Sequence, residues 1–475
     1  MPIPHASSPA IVGPIPGEAH LAAPAFRVSL AERGYTEEEY FISGTATAYT
    51  SAQPMPADGR IAAQPGGTAP YATRLLVRRP ADAERFNGTV LLEWLNVSGG
   101  TDAAPDYAFL HCDIERKGYV WVGVSAQKGG LEGIPGMPMV SLPVKTANPV
   151  RYGPLVHPGD AYAFDIFSQA ALAIRGCANA PAQLQSLHPQ RLLALGESQS
   201  AFFLTTYVNA IDPLVQLYDG FLIHARGGFA ASLTGVRLDG HNWNPFKDPV
   251  KIRTDVRVPV LILQSETDLL VLGSVMSRQP DAARIRLWEI AGAAHADTYQ
   301  LIGAYHDCAG ADADALAAAL EPISSMYGMA FGTPINSGPQ QHYIANSALE
   351  HLNRWVRDGT APPTAARLEV DPTQLRTFVL DELGFARGGI RSPWVDVPTS
   401  ILSGLGQIGI GFAPLFGTTK PFDAGRLRQL YPKGRADYLA RFAASTQDAI
   451  NAGFVLEADQ PQINALAAAA CPLPI

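Results

Sequence analysis

Hydrophobic and polar positions along the chain alternate between two kinds of segment. Short runs rich in Val, Ile, Leu and Tyr predict strands, and longer runs with apolar residues three or four positions apart predict helices. The strand candidates are 40–51, 71–80, 89–95, 119–126, 191–196, 221–225, 258–264 and 284–292. The helix candidates are 102–117, 160–175, 199–209, 341–357, 424–431 and 435–452. This order predicts an α/β fold in which helices cover both faces of a mainly parallel central sheet.

The pattern divides the chain into three parts. Residues 1–39 are rich in Pro and Ala and are predicted to wrap the surface, whereas 40–358 carry the alternating core. Residues 359–475 show no independent apolar core and are predicted to pack onto the rest as a C-terminal extension. Stretches rich in Gly and Pro interrupt the core pattern and predict one connecting loop and three lid-like insertions, namely 52–70 for the loop and 128–158, 226–256 and 297–340 for the insertions.

Charge and hydropathy narrow the range of partners. The chain has 475 residues and a formal net charge of −8, and its basic residues are scattered. Because nucleic acids and anionic membranes attract clustered basic residues, we predict neither as a partner. No apolar run reaches the roughly 18 residues of a membrane span, and the N-terminus lacks the features of a secretory signal. We therefore expect a cytoplasmic protein that acts on a small molecule, or a secreted one if an export signal has been trimmed.

The cysteines do not suggest a metal site. Cys112, Cys177, Cys308 and Cys471 are far apart and lack the paired spacing of zinc ligands. We therefore predict no zinc site and no disulfide framework, although one disulfide is left open.

The strongest chemical signal is the segment RLLALGESQSAFFLTTYV at 191–208. A β-rich run enters the pentapeptide Gly196-Glu197-Ser198-Gln199-Ser200 and a helical pattern leaves it, which is typical of a nucleophile elbow. Small residues on either side of the serine let such a turn approach its neighbours, and Ser200 in place of the usual Gly is a sterically mild change. We predict Ser198 as the nucleophile. The alternative is an ordinary turn in which Ser198 only caps the helix.

Two later strand ends offer an acid and a base. The strand 258–264 runs into Ser265-Glu266-Thr267-Asp268, where we favour Asp268 as the acid that orients a histidine and keep Glu266 as the alternative. His295 follows the strand 284–292 and is the predicted general base, with His224 as its competitor. The order serine, acid, histidine is that of the α/β-hydrolase fold and differs from the orders of chymotrypsin and subtilisin.

An acyl-transfer site also needs N–H donors for the oxyanion of the tetrahedral intermediate. One donor should be the backbone N–H of Gln199, directly after the nucleophile. The second should come from the Gly-containing loop after the strand 89–95, and we predict the amide of Val97 or of Asn96. The alternative is that this loop is merely flexible.

Several longer motifs resemble a known family. They are EEYFISGTATAYT, LLEWLNVSGG, HPGDAYAFDIFSQA, LALGESQS, VLILQSETDLL, LWEIAGAAHADTY, LDELGFARGGIRSPWVDVP and LFGTTKPFD. Together they are similar to the bacterial proteins described as alpha/beta hydrolase domain-containing, an esterase-like branch of the α/β-hydrolase superfamily, and the resemblance covers most of the chain. It implies a serine hydrolase without metal or organic cofactor, carried by Ser198, by Asp268 or Glu266, and by His295.

The functional hypothesis is cleavage of a carboxylic ester or a lactone through an acyl-enzyme on Ser198. Two alternatives remain from the sequence alone. One is an acyltransferase or lyase that uses the same triad, and the other is a catalytically inactive hydrolase fold that binds a ligand or a partner. A nucleophilic aspartate, as in dehalogenases, is disfavoured because the elbow carries serine.

Overall fold

The structure is a computed structural model that describes most of the chain. The residues it does not describe are 1–7, 24, 136–140, 177–180, 236–243, 245, 308–311, 327, 375 and 475. Cys177 and Cys308 therefore lie outside the described residues, whereas Cys112 and Cys471 are free thiols.

A single large sheet organises the described part of the chain. Its nine strands are β1 (Ala10–Val12), β2 (Tyr35–Thr50), β3 (Gln64–Pro80), β4 (Thr89–Trp94), β5 (Val120–Val124), β6 (Arg191–Glu197), β7 (Gly220–His224), β8 (Val260–Ser265) and β9 (Ile285–Ile290). They lie in the order β1-β2-β3-β5-β4-β6-β7-β8-β9. The pairs from β1 to β5 are antiparallel, and those from β5 through β4 to β9 are parallel. This confirms the predicted fold class.

Two further pairs of short strands lie outside this sheet. They are β10 (Ser325–Met326) with β11 (Met329–Ala330), and β12 (Ser400–Ser403) with β13 (Thr418–Pro421).

Helices cover both faces of the sheet, as predicted. They are α1 (Pro105–Lys117), α2 (Lys128–Glu132), α3 (Val144–Ala147), α4 (Pro149–Tyr152), α5 (Ala163–Gly176), α6 (Ala182–Gln185), α7 (Gln199–Thr206), α8 (Asp212–Val215), α9 (Glu266–Leu270), α10 (Thr298–Leu301), α11 (Ala313–Ala319), α12 (Gln340–Asp358), α13 (Pro393–Asp396), α14 (Ala424–Leu430), α15 (Arg435–Asn451) and α16 (Gln460–Ala469). Alternate residues of β4 show the two layers. Val90 and Leu92 pack in the cluster that contains α5 and α7, whereas Leu91 packs with α1 and α12.

The central strands are apolar on both sides, which explains their place in the sheet. Every residue of β4, β5 and β7 is buried, as expected for parallel strands covered by helices on each face. Because β6 to β9 run in parallel, their carboxyl ends meet at one edge. Glu197 at the end of β6 pairs with His224 at the end of β7, and Ser265 at the end of β8 pairs with Ile290.

One local prediction is wrong. The stretch 52–70 was expected to be a loop, but its second part belongs to β3, where Thr68 pairs with Thr47 and Pro65 with Tyr49 of β2. Residues 64–68 are all exposed, so burial does not select apolar side chains there. The strand is held by its backbone pairing with β2, which the Gly- and Pro-rich composition conceals.

The part of the chain after 359 contacts the sheet and its helices directly. The N–H of Ile390 donates to the carbonyl of Glu289 in β9, and Leu466 of α16 is buried in the same apolar cluster as α1 and α12. Tyr343 of α12 packs with Phe442 of α15 in a further cluster. The three-part division of the chain at 39 and 358 stays a prediction. In the described ranges, no helix is both long and apolar enough to cross a membrane.

Candidate active site

Ser198 lies in a sharp turn between β6 and α7. Its backbone has φ 59° and ψ −119°, a region that L-residues seldom adopt and that persists only where the surroundings enforce it. The N–H of Ser198 donates to the carbonyl of His224 at 3.0 Å and fixes the turn. A Cβ on Gly196 would lie 3.2 Å from the backbone of Ser200, so this position favours glycine. The structure thus places Ser198 at the carboxyl edge of the sheet, partly accessible to solvent.

His295 bridges Ser198 and Asp268. Its Nε2 lies 2.8 Å from the Ser198 hydroxyl, and its Nδ1 lies 2.6 Å from Oδ1 of Asp268. With Nδ1–H donating to the carboxylate, Nε2 is free to accept the serine proton. The N–H of His295 also donates to the hydroxyl of Thr267 at 3.1 Å, which anchors the turn that carries the imidazole.

Asp268 is held rigidly at the start of α9. Its Oδ2 accepts the N–H of Ser265 at 2.6 Å, and its own N–H donates to the Ser265 hydroxyl at 3.3 Å. These two bonds form a capping box, which satisfies backbone donors at the helix start and orients the side chain. The other carboxylate oxygen is therefore aimed at His295.

Glu266, the other acid candidate, has different partners. Its carboxylate accepts the N–H of Gly292 at 2.7 Å, the N–H of Gly404 at 2.8 Å and the hydroxyl of Ser403 at 2.9 Å. Burial raises the pKa of Glu266, although these three bonds oppose the rise. The structure thus places Asp268 in contact with His295. Glu266 instead connects the turn after β9 with the end of β12.

The predicted oxyanion donors are not equivalent. The N–H of Asn96 already donates to the carbonyl of Ala103 at 2.9 Å. The N–H of Val97 faces only the side-chain oxygen of Gln199, at 3.5 Å. Gln199 is the first residue of α7, and N–H groups in the first turn of a helix have no acceptor within it. The side chain of Asn96 instead donates to the carbonyl of Glu197 at 3.1 Å and ties the two loops together.

The competing histidine, His224, has another environment. It is 1% exposed, and its Nδ1 lies 2.8 Å from Oδ1 of Asp106. Burial lowers its pKa to about 4. His224 contacts the nucleophile through its backbone instead, because its carbonyl accepts the N–H of Ser198.

Sequence reasoning missed a buried acidic group around the elbow. Oε1 of Glu197 lies 3.5 Å from Nε2 of His295, and burial, reinforced by Asp106, Asp268 and Glu93, raises the pKa of Glu197 well above its ordinary value. Burial also raises the pKa of Asp106 to about 8. Glu197 directly precedes Ser198 in the pentapeptide, and this position is the sequence feature from which its place beside the site could have been predicted.

One group of side chains in the described part of the chain has the composition of a metal site. Candidate ligand atoms of Cys112, Asp307 and His342 lie within 4.8 Å of one another. The Asp307 carboxylate, however, already accepts the hydroxyl of Tyr299 at 2.8 Å and the amide of Gln462 at 2.6 Å. A hydrogen-bond network therefore accounts for this cluster, and the absence of a metal or cofactor stays a prediction.

A mainly parallel sheet with a serine in the turn after β6, and with an acid and a histidine after β8 and β9, defines the α/β-hydrolase class. Comparison with family models agrees. The chain belongs to the family described as Alpha/beta hydrolase domain, whose model matches residues 11–465, and the family expected from the sequence motifs is confirmed.

Solved structures include esterases among those similar to this chain. One is a fungal esterase from Rhizomucor miehei, at 14% identity and a TM-score of 0.30, over 55% of this chain and 78% of that chain. Another is a thermostable esterase from Pseudomonas putida, at 11% identity and a TM-score of 0.30, over 56% of this chain and 75% of that chain. A search of the curated proteins gave no match.

Proposed function

We propose that this protein is a serine hydrolase that cleaves a carboxylic ester or a lactone through an acyl-enzyme on Ser198. The observation that carries the proposal is the continuous hydrogen-bonded chain from Ser198 through His295 to Asp268. Both bonds are within the range expected of a nucleophile, its base and the group that orients the base.

In the first half-reaction, Oγ of Ser198 attacks the acyl carbon while Nε2 of His295 takes the serine proton. Asp268 keeps the imidazole in the tautomer with hydrogen on Nδ1 and stabilises the imidazolium that forms. His295 then gives the proton to the departing alkoxide. A water molecule attacks the acyl-enzyme in the second half-reaction, again with His295 as the base, and the acid leaves Ser198.

Gln199 and Val97 supply the N–H donors for the oxyanion in this proposal. The bond from Val97 to the Gln199 side chain is long, at 3.5 Å, so an anionic substrate oxygen would be the better acceptor. Asn96 is the weaker candidate because its N–H already has an acceptor. Its side chain would act by holding the Val97 loop against the elbow.

The test compares Ser198→Ala with Ser200→Ala. Both change a serine of the same turn, but Ser200 is fully buried and its hydroxyl has no hydrogen-bond partner among the residues that the structure describes. Ser198→Ala is expected to abolish turnover of a nitrophenyl ester while circular dichroism shows an intact fold, and Ser200→Ala is expected to stay active. Wild-type turnover in Ser198→Ala would refute the proposal.

Product and labelling experiments separate the alternatives. Incubation with an ester, water and an acceptor alcohol should give mainly the free acid; dominant transfer to the alcohol would indicate an acyltransferase. A fluorophosphonate should label wild-type protein and not Ser198→Ala. Failure to label the wild type, together with no turnover across a panel of esters and lactones, would indicate an inactive binding protein.

A further inference from the structure

Arg226 carries a buried positive charge. The residue is 1% exposed, and its guanidinium donates to the carbonyls of Gly227, Gly228 and Val250 and to the hydroxyl of Ser277. Among the described residues no carboxylate forms an ion pair with it. Burial lowers the pKa of Arg226 to about 10, so the group stays cationic at neutral pH. An isolated buried charge is costly unless a counter-charge accompanies it.

Arg226 lines a small cavity whose lining side chains carry a net positive charge. The cavity has room for about one water-sized particle. Its other charged side chains are Arg278 and Glu289, which pair with each other through two contacts of 2.7 Å. Two guanidinium groups face one carboxylate, which leaves the cavity with one net positive charge.

Two polar side chains in the wall of this cavity also call for a ligand. The Ser274 hydroxyl and Oε1 of Gln264 have no hydrogen-bond partner in the described part of the chain, although these residues are only 4% and 3% exposed. Buried polar groups in folded proteins nearly always have a partner. The Ser274 hydroxyl can donate to an anion, and a half-turn of the Gln264 amide would present N–H groups to the same place.

We propose that this cavity is a binding site for a small monovalent anion of the size of chloride. The anion balances Arg226 and accepts hydrogen bonds from the guanidinium and from Ser274. A carboxylate or phosphate ligand does not fit a space for one water-sized particle.

The cavity lies between two segments that also build the candidate active site. Arg226 follows His224, whose carbonyl accepts the N–H of Ser198, and Ser274 follows α9, which carries Asp268. An anion held by both segments joins them, and a ligand that binds only the folded state stabilises it by an amount that grows with the logarithm of its concentration once this exceeds the dissociation constant.

The first test measures thermal unfolding in sodium chloride and in sodium gluconate at equal ionic strength. We expect the melting temperature to rise with the logarithm of the chloride concentration and not with gluconate. Ser274→Ala should weaken the apparent chloride affinity several-fold. The matched control is Ser392→Ala, which removes another buried, unpartnered hydroxyl far along the chain and should leave the chloride response unchanged.

The second test locates the ion in the wild-type protein, because Arg226→Met removes four hydrogen bonds of a buried group and is expected to destabilise the fold. Crystals grown in sodium bromide should show an anomalous peak beside Arg226 and Ser274. Equal melting temperatures in chloride and gluconate would overturn the proposal, whether bromide is absent from the cavity or bound there at crystal concentration only. If Arg226→Met does fold, a chloride response equal to wild type would overturn it as well.

Discussion

Glu266 and Asp268 stand two positions apart on the first turn of α9, yet their carboxylates have separate tasks in the structure. Asp268 contacts His295, whereas Glu266 accepts three donors from Gly292, Ser403 and Gly404. The sequence favoured Asp268 but kept Glu266 as the alternative, because side-chain direction within one turn depends on the capping box and on a segment far along the chain.

Neutralising the two acids should therefore have different effects. Asp268→Asn is expected to lower kcat roughly 10³- to 10⁴-fold with little change in melting temperature, since the imidazole loses the partner that sets its tautomer. Glu266→Gln is expected to keep kcat within several-fold of wild type but to cost about 1–3 kcal/mol of stability, because one of its buried donors loses its acceptor. Steady-state kinetics and urea unfolding measure the two quantities; the reverse pattern would exchange the roles.

Glu197 should make both activity and stability depend on pH. Its folded-state pKa is raised, so the folded protein retains a proton that the unfolded chain releases. The stability gained from Glu197 is full below the ordinary pKa of a carboxyl group and falls as the pH rises towards the raised value. Once ionised, Glu197 places an anion 3.5 Å from Nε2 of His295, where it competes with the Ser198 hydroxyl for the imidazole and should lower the rate of acylation.

Glu197→Gln keeps the neutral shape at every pH. We expect the variant to gain stability relative to wild type as the pH rises above about 5, and to lose an inflection on the alkaline side of the kcat/KM profile. Unfolding and kinetics at several pH values measure both effects. The exposed residue Glu18 gives the control Glu18→Gln, which should follow wild type. Parallel profiles for wild type and Glu197→Gln would show that Glu197 does not titrate beside His295.

At the scale of elements, the sequence pattern predicted the strands and helices whose burial it reflects, and it missed those that depend on pairing with a distant segment. The pattern was sufficient for buried strands such as β4 and β7 and for the elbow between β6 and α7, because there the apolar runs and the burial coincide. It failed for residues 64–68 of β3, which are exposed and pair with β2. The pattern also did not reveal that the N–H of Asn96 donates to the carbonyl of Ala103. This hydrogen bond depends on the path of the loop after β4, which has no periodic pattern.

The elbow predicts a strong size limit at Gly196. A Cβ there would lie 3.2 Å from the backbone of Ser200, so Gly196→Val must push α7 away from β6 and displace Ser198 from His295. We expect a loss of about 1–3 kcal/mol in stability and a larger proportional loss in kcat than in KM. The control is Gly332→Ala, because a Cβ at Gly332 meets no atom within 4 Å. Unchanged kcat in Gly196→Val would contradict the strained turn described above.

At the scale of the whole molecule, the segment after 359 reaches the candidate active site. The carbonyl of Leu415 accepts the N–H of Ala296, next to His295, and Ser403 and Gly404 donate to Glu266. Two turns that carry candidate catalytic groups are therefore supported from a part of the chain more than a hundred residues away. The sequence predicted that this part packs onto the core, but hydrogen bonds at such a separation have no local signature.

Gly404 offers a test of this support, because its backbone lies very close to the turns before His295 and Asp268. A Cβ at Gly404 would lie 2.4 Å from the carbonyl oxygen of Ala293, 2.6 Å from Cβ of Glu266 and 2.7 Å from the N of Thr267. Gly404→Ala must therefore separate the loop after β12 from the turns before His295 and Asp268. We expect kcat to fall at least tenfold, about 1.4 kcal/mol in the barrier, with a lower melting temperature.

The matched control for Gly404→Ala is Gly67→Ala in the exposed part of β3, where a Cβ has only one neighbour, at 3.9 Å. It should change neither kcat nor the melting temperature appreciably. If Gly404→Ala lowered the melting temperature alone, the extension would stabilise the fold without positioning His295 and Asp268. A fall in kcat measured well below the melting transition would instead show that the distant segment sets the geometry of the site, because the folded population would then be the same in both proteins.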